Sequence, residues 1–155
     1  MPFIIERQLL DEARRNPASN YESITPHYFR AMNIPLLACR DFTEQDTDET
    51  TQVLIISNSL AQRMYPGTDP IGKRIKLDAT DLDNPWGLIV GVAGDVRYRE
   101  LSNYQVDIYV PYRQNLAQNR YVTVRTSADP ATMIPVVRRE LAAIDPDQPL
   151  GECRP

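Results

Sequence analysis

The chain has 155 residues, of which 42% are hydrophobic and 25% charged, an ordinary globular balance that excludes wholesale disorder. Its net charge of −4 and pI of about 5.0 argue against a nucleic-acid binder, which needs a basic surplus to displace counterions from phosphates. No apolar run approaches the roughly 20 residues that cross a bilayer, so the chain as given is expected to be soluble, and its 13 prolines predict sharply ended elements and stiff loops.

Residues 6–15 place Leu9, Leu10 and Ala13 on one helical face, and Asn16-Pro17 ends that helix because the residue before proline avoids the helical region. Glu6 and Arg7 interrupt Phe3, Ile4 and Ile5 before a secretory apolar segment could form. Residues 20–24 read as a short strand. Thr25 caps and Pro26 opens a helix that carries Tyr28, Phe29 and Met32 and stops before Pro35. A strand follows at 36–39, then a polar, acidic stretch at 40–51 that reads as a loop or one helical turn.

Val53-Leu54-Ile55-Ile56 is a continuous apolar run, the pattern of a strand buried on both faces. Ser57 or Asn58 caps a short helix through Tyr65, and Pro66-Gly67 ends it. Residues 73–77 alternate polar and apolar as a half-exposed strand does. A polar loop at 78–85 leads into 86–93, the strongest strand signal. Gly94-Asp95 makes a turn or bulge, and 96–98 continue the sheet. Residues 107–110 form a strand ended by Pro111, and 121–125 alternate as another. Asp129-Pro130 opens the last helix, whose apolar stripe is Met133, Ile134, Val137, Leu141 and Ile144 and which Asp145-Pro146 terminates.

Helices thus flank a strand-rich middle, which predicts an α+β fold of two lobes. The expected division is a helical lead-in over 1–19, a domain over 20–150 and a tail over 151–155. Within the domain, one lobe comprises 20–65 and 112–150, and a β-rich lobe over 66–111 is inserted into it.

Several patterns invite a chemical reading. Gly67-Thr68-Asp69-Pro70-Ile71-Gly72-Lys73-Arg74 has P-loop spacing, but Arg74 stands where a metal-binding hydroxyl is required and Pro70 lacks a cradle amide, so a proline-stiffened turn is expected. Gly91-Val92-Ala93-Gly94-Asp95 lacks the third glycine and following helix of a dinucleotide loop. His27, the single histidine, is expected as an exposed first-turn residue, and no G-x-S-x-G elbow accompanies it. The acidic residues between Asp41 and Glu49 lack the ligand order and central glycine of an EF-hand. Asp81 and Asp83 lie in a polar loop with nothing to raise either pKa. Of the two cysteines, Cys39 is expected as a buried thiol and Cys153 as a mobile one, with their pairing left open. Trp86 is expected to pack at a strand edge; the alternative is a stand-alone small-molecule-binding or enzymatic domain with Trp86 and tyrosines around a pocket.

Taken in order, these segments carry a resemblance. Thr25-Pro26-His27-Tyr28-Phe29, Ile34-Pro35-Leu36-Leu37 and Arg40-Asp41-Phe42 are followed by the apolar strand that runs into Asn58-Ser59-Leu60-Ala61. Pro66-Gly67, Pro70-Ile71-Gly72-Lys73, the segment from Ile89 to Arg97 and Tyr109-Val110-Pro111-Tyr112 complete the set. Over roughly residues 23–150 the chain resembles the MacB-like periplasmic core domains of bacterial ABC-transporter permeases, in the FtsX-like permease family. It departs from that pattern at Asn33 and Cys39, where the family usually has glycine.

The resemblance implies a two-lobed body with one porter-like lobe, outside the cytoplasmic membrane between the first and second membrane helices of a permease. It implies that both ends of the chain descend toward those helices. Implied partners are the parent's membrane helices, a separate cytoplasmic ATPase subunit or domain acting indirectly, and an adaptor protein or the transported substrate. The family carries no catalytic residue, cofactor or metal ligand onto this chain.

Overall fold

The computed structural model describes residues 1–78, 84–96, 106–115 and 121–147. The chain forms two units, Met1–Val122 and Thr123–Pro155. The first holds a seven-stranded sheet built from β1 (Phe3–Ile5), β2 (Ser19–Ile24), β3 (Leu36–Cys39), β4 (Val53–Ser57), β5 (Arg74–Leu77), β6 (Trp86–Ala93) and β7 (Val106–Pro111). Three short helices join them: α1 (Leu10–Ala13), α2 (Tyr28–Ala31) and α3 (Asn58–Met64).

Strand order is β1-β5-β6-β4-β7-β2, with β3 also paired to β6. The β4–β6 and β2–β7 pairs are parallel and the rest antiparallel. The sheet curls until its two ends touch: the Ser19 amide donates to the Met1 carbonyl at 3.3 Å and the Met1 ammonium to the Ser19 carbonyl at 2.6 Å. That contact shields part of each outer strand from edge pairing.

Every residue of β4 is buried, as a strand packed on both faces must be. Leu54 and Ile56 enter one cluster with Phe3, Ile75, Ile89, Ile108 and, from α3, Leu60. Val53 and Ile55 enter a second with Phe29, Ile34, Phe42, Val90 and Tyr109. A bulge in β6 lets it serve both faces. Leu54 pairs with Ile89 but Ile55 pairs with Gly91, so Val90 is the extra residue. The rings of Phe29 and Tyr109 meet edge-on with centroids 4.9 Å apart.

α2 ends in a Schellman motif. Asn33 adopts φ 58°, the Ile34 amide donates to the Phe29 carbonyl at 2.8 Å, and the Asn33 amide to the Arg30 carbonyl at 3.3 Å. Ile34 and Phe29 then meet in the second cluster, the apolar contact that accompanies such caps. At the end of β3, Cys39 also sits at φ 59°. Asn33 and Cys39, the two positions where the resemblance leads one to expect glycine, therefore both fall on left-handed backbone, which glycine adopts without strain.

The second unit holds α4 (Pro130–Ile144). Asp129 caps it, its carboxylate accepting from the Ala131 amide at 3.0 Å, and Asp145 follows as the cap at its far end. The interior Pro135 has no amide to give to the helix.

Several elements differ from the sequence reading. The first helix shrinks to Leu10–Ala13 because residues 3–5 pair with β5 and Arg7 turns the chain at φ 70°. Leu9 and Leu10 are consequently exposed, and Phe3 is part of the core rather than of a lead-in. Thr25 contributes its carbonyl, not its side chain, to the start of α2, and His27 takes the capping position at φ 70° with no side-chain cap bond. Residues 121–125 are not a strand and are exposed, so their alternation meets no sheet edge among the described residues. The strands within 66–111 share one sheet with those of 20–65, since β4 pairs with β6 on one side and β7 on the other. The continuation of the strand over 97–98 and the tail over 151–155 lie outside the described residues.

Left-handed backbone costs a non-glycine residue about 1–2 kcal/mol, and glycine returns about 0.5–1 kcal/mol through unfolded-state freedom. Cys39→Gly is therefore expected to stabilise the chain by about 0.5–1 kcal/mol, measured as an increase in the urea midpoint with an unchanged m-value.

Candidate functional site

The residues that invited chemical readings are occupied by structure. In the glycine-bearing loop after α3, Gly67 and Gly72 take φ 68° and 79°. Its amides point into the protein. Thr68 donates to the Tyr65 carbonyl, Ile71 to Asp69 Oδ1, Gly72 to the Ile89 carbonyl and Lys73 to the Pro70 carbonyl, at 2.9–3.1 Å. A phosphate cradle needs those same donors aimed outward. His27 is exposed, and its main-chain amide donates to Asp41 Oδ2 at 3.3 Å. Cys39 is an exposed free thiol, not a buried one, because it lies at the outer end of β3. Cys153, Asp81 and Asp83 lie outside the described residues.

The Arg40-Asp41-Phe42 segment is where the sequence motifs converge. Arg40 forks onto Asp46, with Nη1 to Oδ2 and Nη2 to Oδ1 both at 2.8 Å. Arg40 Nη1 also donates to the Asp41 carbonyl. Asp41 turns one carboxylate oxygen to the His27 amide and the other to the Phe42 amide. Phe42 is buried in the second cluster. Asp46 further accepts from the Thr43 amide at 2.7 Å and its hydroxyl at 3.2 Å. Burial works against ionisation of Asp46, but the Arg40 and Thr43 hydrogen bonds prevail and hold its carboxyl below the usual range. Two members of the acidic stretch are thus fasteners, and Glu44 pairs with Arg113 at 3.0 Å on the surface.

This segment lies directly on β6. The Arg40 amide donates to the Val90 carbonyl at 3.2 Å, and a β-carbon on Gly91 would sit 2.6 Å from the Arg40 carbonyl oxygen. A β-carbon on Gly94 would sit 2.8 Å from the Pro35 ring, whose carbonyl accepts from the Gly94 amide. Gly91 of β6 and Gly94 at its exit thus admit the chain that leaves α2 and β3.

A shallow cavity of about 310 Å³ opens beside the ends of β1, β5, β2 and β7, with Tyr21, Asp78, Asn84, Gln114 and Asn115 in its lining. Trp86 does not line it; as the first residue of β6 it stands opposite Lys76. Polar groups around the cavity are engaged with the protein. Asn84 donates to the Leu77 carbonyl, and Asn115 donates to the Tyr21 hydroxyl. Gln114 accepts from the Val53 amide and donates to the Thr47 and Thr51 carbonyls and the Thr50 hydroxyl. The clamp role of Gln114 left no sequence signal, since an isolated glutamine after a strand has no motif.

The chain is similar to known proteins in a consistent way. The model of the MacB-like periplasmic core domain matches residues 2–144. The probable syringafactin export ATP-binding/permease protein SyfD of Pseudomonas syringae pv. tomato is 29% identical over 93 residues, 57% of this chain and 13% of that protein. The periplasmic region of MacB from Actinobacillus actinomycetemcomitans superposes with a TM-score of 0.64 at 17% identity, over 92% of this chain and 61% of that one. A domain of a putative permease from Porphyromonas gingivalis gives 0.55 at 20% identity, over 92% and 58%. The extracellular domain of the noncanonic ABC-type transporter YknZ from Gram-positive bacteria gives 0.55 at 20%, over 84% and 66%. At such identities the solved structures show a shared fold. The chain spans about an eighth of the curated relative, 13% of its length.

Two substitutions check the crossing. Gly91→Ala drives a β-carbon against the Arg40 carbonyl, and overpacking of that kind is expected to cost about 2 kcal/mol in chemical denaturation. Arg40→Ala is expected to cost about 1 kcal/mol at neutral pH, a figure discounted because the Arg40 side chain is 42% exposed. The Asp46 carboxyl is depressed in the folded state, so its contribution is present above the ordinary aspartate range and is lost as pH falls through the folded pKa. The difference between wild type and Arg40→Ala is accordingly expected to shrink on acidification, measured as paired melts across pH.

Proposed function

This chain belongs to the MacB-like periplasmic core domain family, and we propose that it is the extracytoplasmic part of an ABC-transporter permease, its first unit, Met1–Val122, moving as a stiff piece with the parent's membrane helices. The observation that carries the proposal is the family match over 2–144, joined to a motif set whose members are spent on holding the fold. The family is one of transporter domains and is not known for catalysis. Among the described residues no helix is long and apolar enough to cross a membrane, and no group of three or more His, Cys, Asp or Glu side chains is placed to hold a metal.

In this reading ATP is hydrolysed elsewhere, by a cytoplasmic subunit or domain. The free energy reaches this domain as a shift between two positions of the attached helices, a coupling between distant sites. The domain's contribution is stiffness: a curled sheet packed on both faces transmits displacement without absorbing it. Adaptor or substrate contact belongs to the same proposal, because export permeases must hand their cargo onward.

Spin labels in the parent permease test it. One label goes on Cys39 and a second on Gln62→Cys, with Cys153 replaced by serine; Cys39 and Gln62 are exposed positions of the first unit. The expected result is one distance between these labels in nucleotide-free and ATP-trapped transporter, while the distance from Cys39 to a label on a membrane helix changes. A changed distance within the domain, or no movement relative to the helices, overturns the proposal.

A further inference from the structure

The parallel seam between β2 and β7 contains a feature that the transport reading leaves unused. Asp107, the second residue of β7, is 2% exposed. Its Oδ1 accepts from Asn20 Nδ2 on β2 at 2.9 Å, and its main-chain amide donates to Ser57 Oγ at 3.0 Å. Ser57, fully buried, also accepts from the Leu60 amide and so caps α3. Ser57 Oγ lies 3.1 Å from Ser59 Oγ, and the Ser59 amide donates to Asp95 just beyond β6. Polar contacts of Asp107 and Ser57 therefore join β2, β7, β4, α3 and the exit of β6, with the buried carboxyl facing β2.

Among the described residues that carboxyl has a neutral partner and no cation. Among the described residues Asp107 has no ion pair. Its side-chain partner is Asn20 on β2, its main-chain amide meets the Ser57 hydroxyl of β4, and the like charge of Asp95 acts on it from the β6 exit. A buried carboxylate held by one neutral donor is costly, and a protonated one is not. Burial first and Asp95 second push the group up, against the Asn20 hydrogen bond.

We propose that Asp107 makes the fold around the β2–β7 seam proton-sensitive, more stable when the buried carboxyl holds a proton and less stable when it ionises with one neutral donor to meet it. The folded-state pKa is raised, so this contribution is complete below the ordinary aspartate range and is lost as pH climbs through the folded value. This is opposite in sign to the Arg40–Asp46 pair, so the two are separable in one titration.

The test compares wild type with Asp107→Asn, which keeps the acceptor oxygen for Asn20 and has no titrating proton. Each unit by which the carboxyl is raised changes the folding equilibrium constant about tenfold. Between about pH 7.5 and about pH 4, wild type is expected to gain about that factor over the variant for each such unit, with β2 amides showing the same gain in hydrogen exchange. Parallel pH profiles for the two proteins, or a gain that leaves β2 exchange untouched, overturn the proposal. If Asp107→Asn does not fold, Asp95→Asn serves instead. Removal of the like charge is expected to move the wild-type profile to lower pH, and an unmoved profile overturns the idea.

Discussion

The second half of the core exists because the chain that leaves β3 lies flat on β6. Arg40 donates to the Val90 carbonyl, and its own carbonyl fills the space that a side chain at residue 91 would need. From that contact Phe42 drops into the apolar cluster under α2, and Asp41 reaches back to hold the start of that helix. Once both faces are covered, β4 can be buried at every position, and the sheet can curl until Met1 and Ser19 meet. A side chain at residue 91 would lift the crossing strand and unseat residues far along the sequence, because packed interiors do not deform gradually.

The elements that could be read in advance are those whose local signal agrees with their final environment. The apolar run of β4, the eight-residue β6, the Ser57 cap and the Asp129-Pro130 start of α4 are all of this kind. The misread ones carry a local signal that the tertiary structure outweighs. Residues 6–15 have helical spacing, yet pairing of Phe3–Ile5 with β5 and the turn at Arg7 leave four helical residues. Residues 121–125 alternate as a strand does, but alternation creates a strand only where a neighbour supplies hydrogen bonds.

For the candidate site, residue types were legible and their purpose was only half so. Pro70 and Arg74 already argued against a phosphate loop, and the amides of Gly72 and Lys73 give the physical reason by donating to main-chain carbonyls. Arg40, Asp41 and Phe42 stood out as a motif, but their work becomes visible only with Asp46, His27 and β6 in place. Asp107 gave no signal, because an aspartate at the start of an apolar strand reads as a boundary residue until its burial is known.

Gln114 has a consequence of another kind. Its amide nitrogen faces the Thr47 and Thr51 carbonyl oxygens while its oxygen serves the Val53 amide. Hydrolysis of that one amide to a carboxylate would set negative charge against two carbonyl dipoles and erase the donors between them. The tie between the acidic segment and the strand it precedes thus depends on one uncharged side-chain amide, which a carboxylate of the same length could not replace.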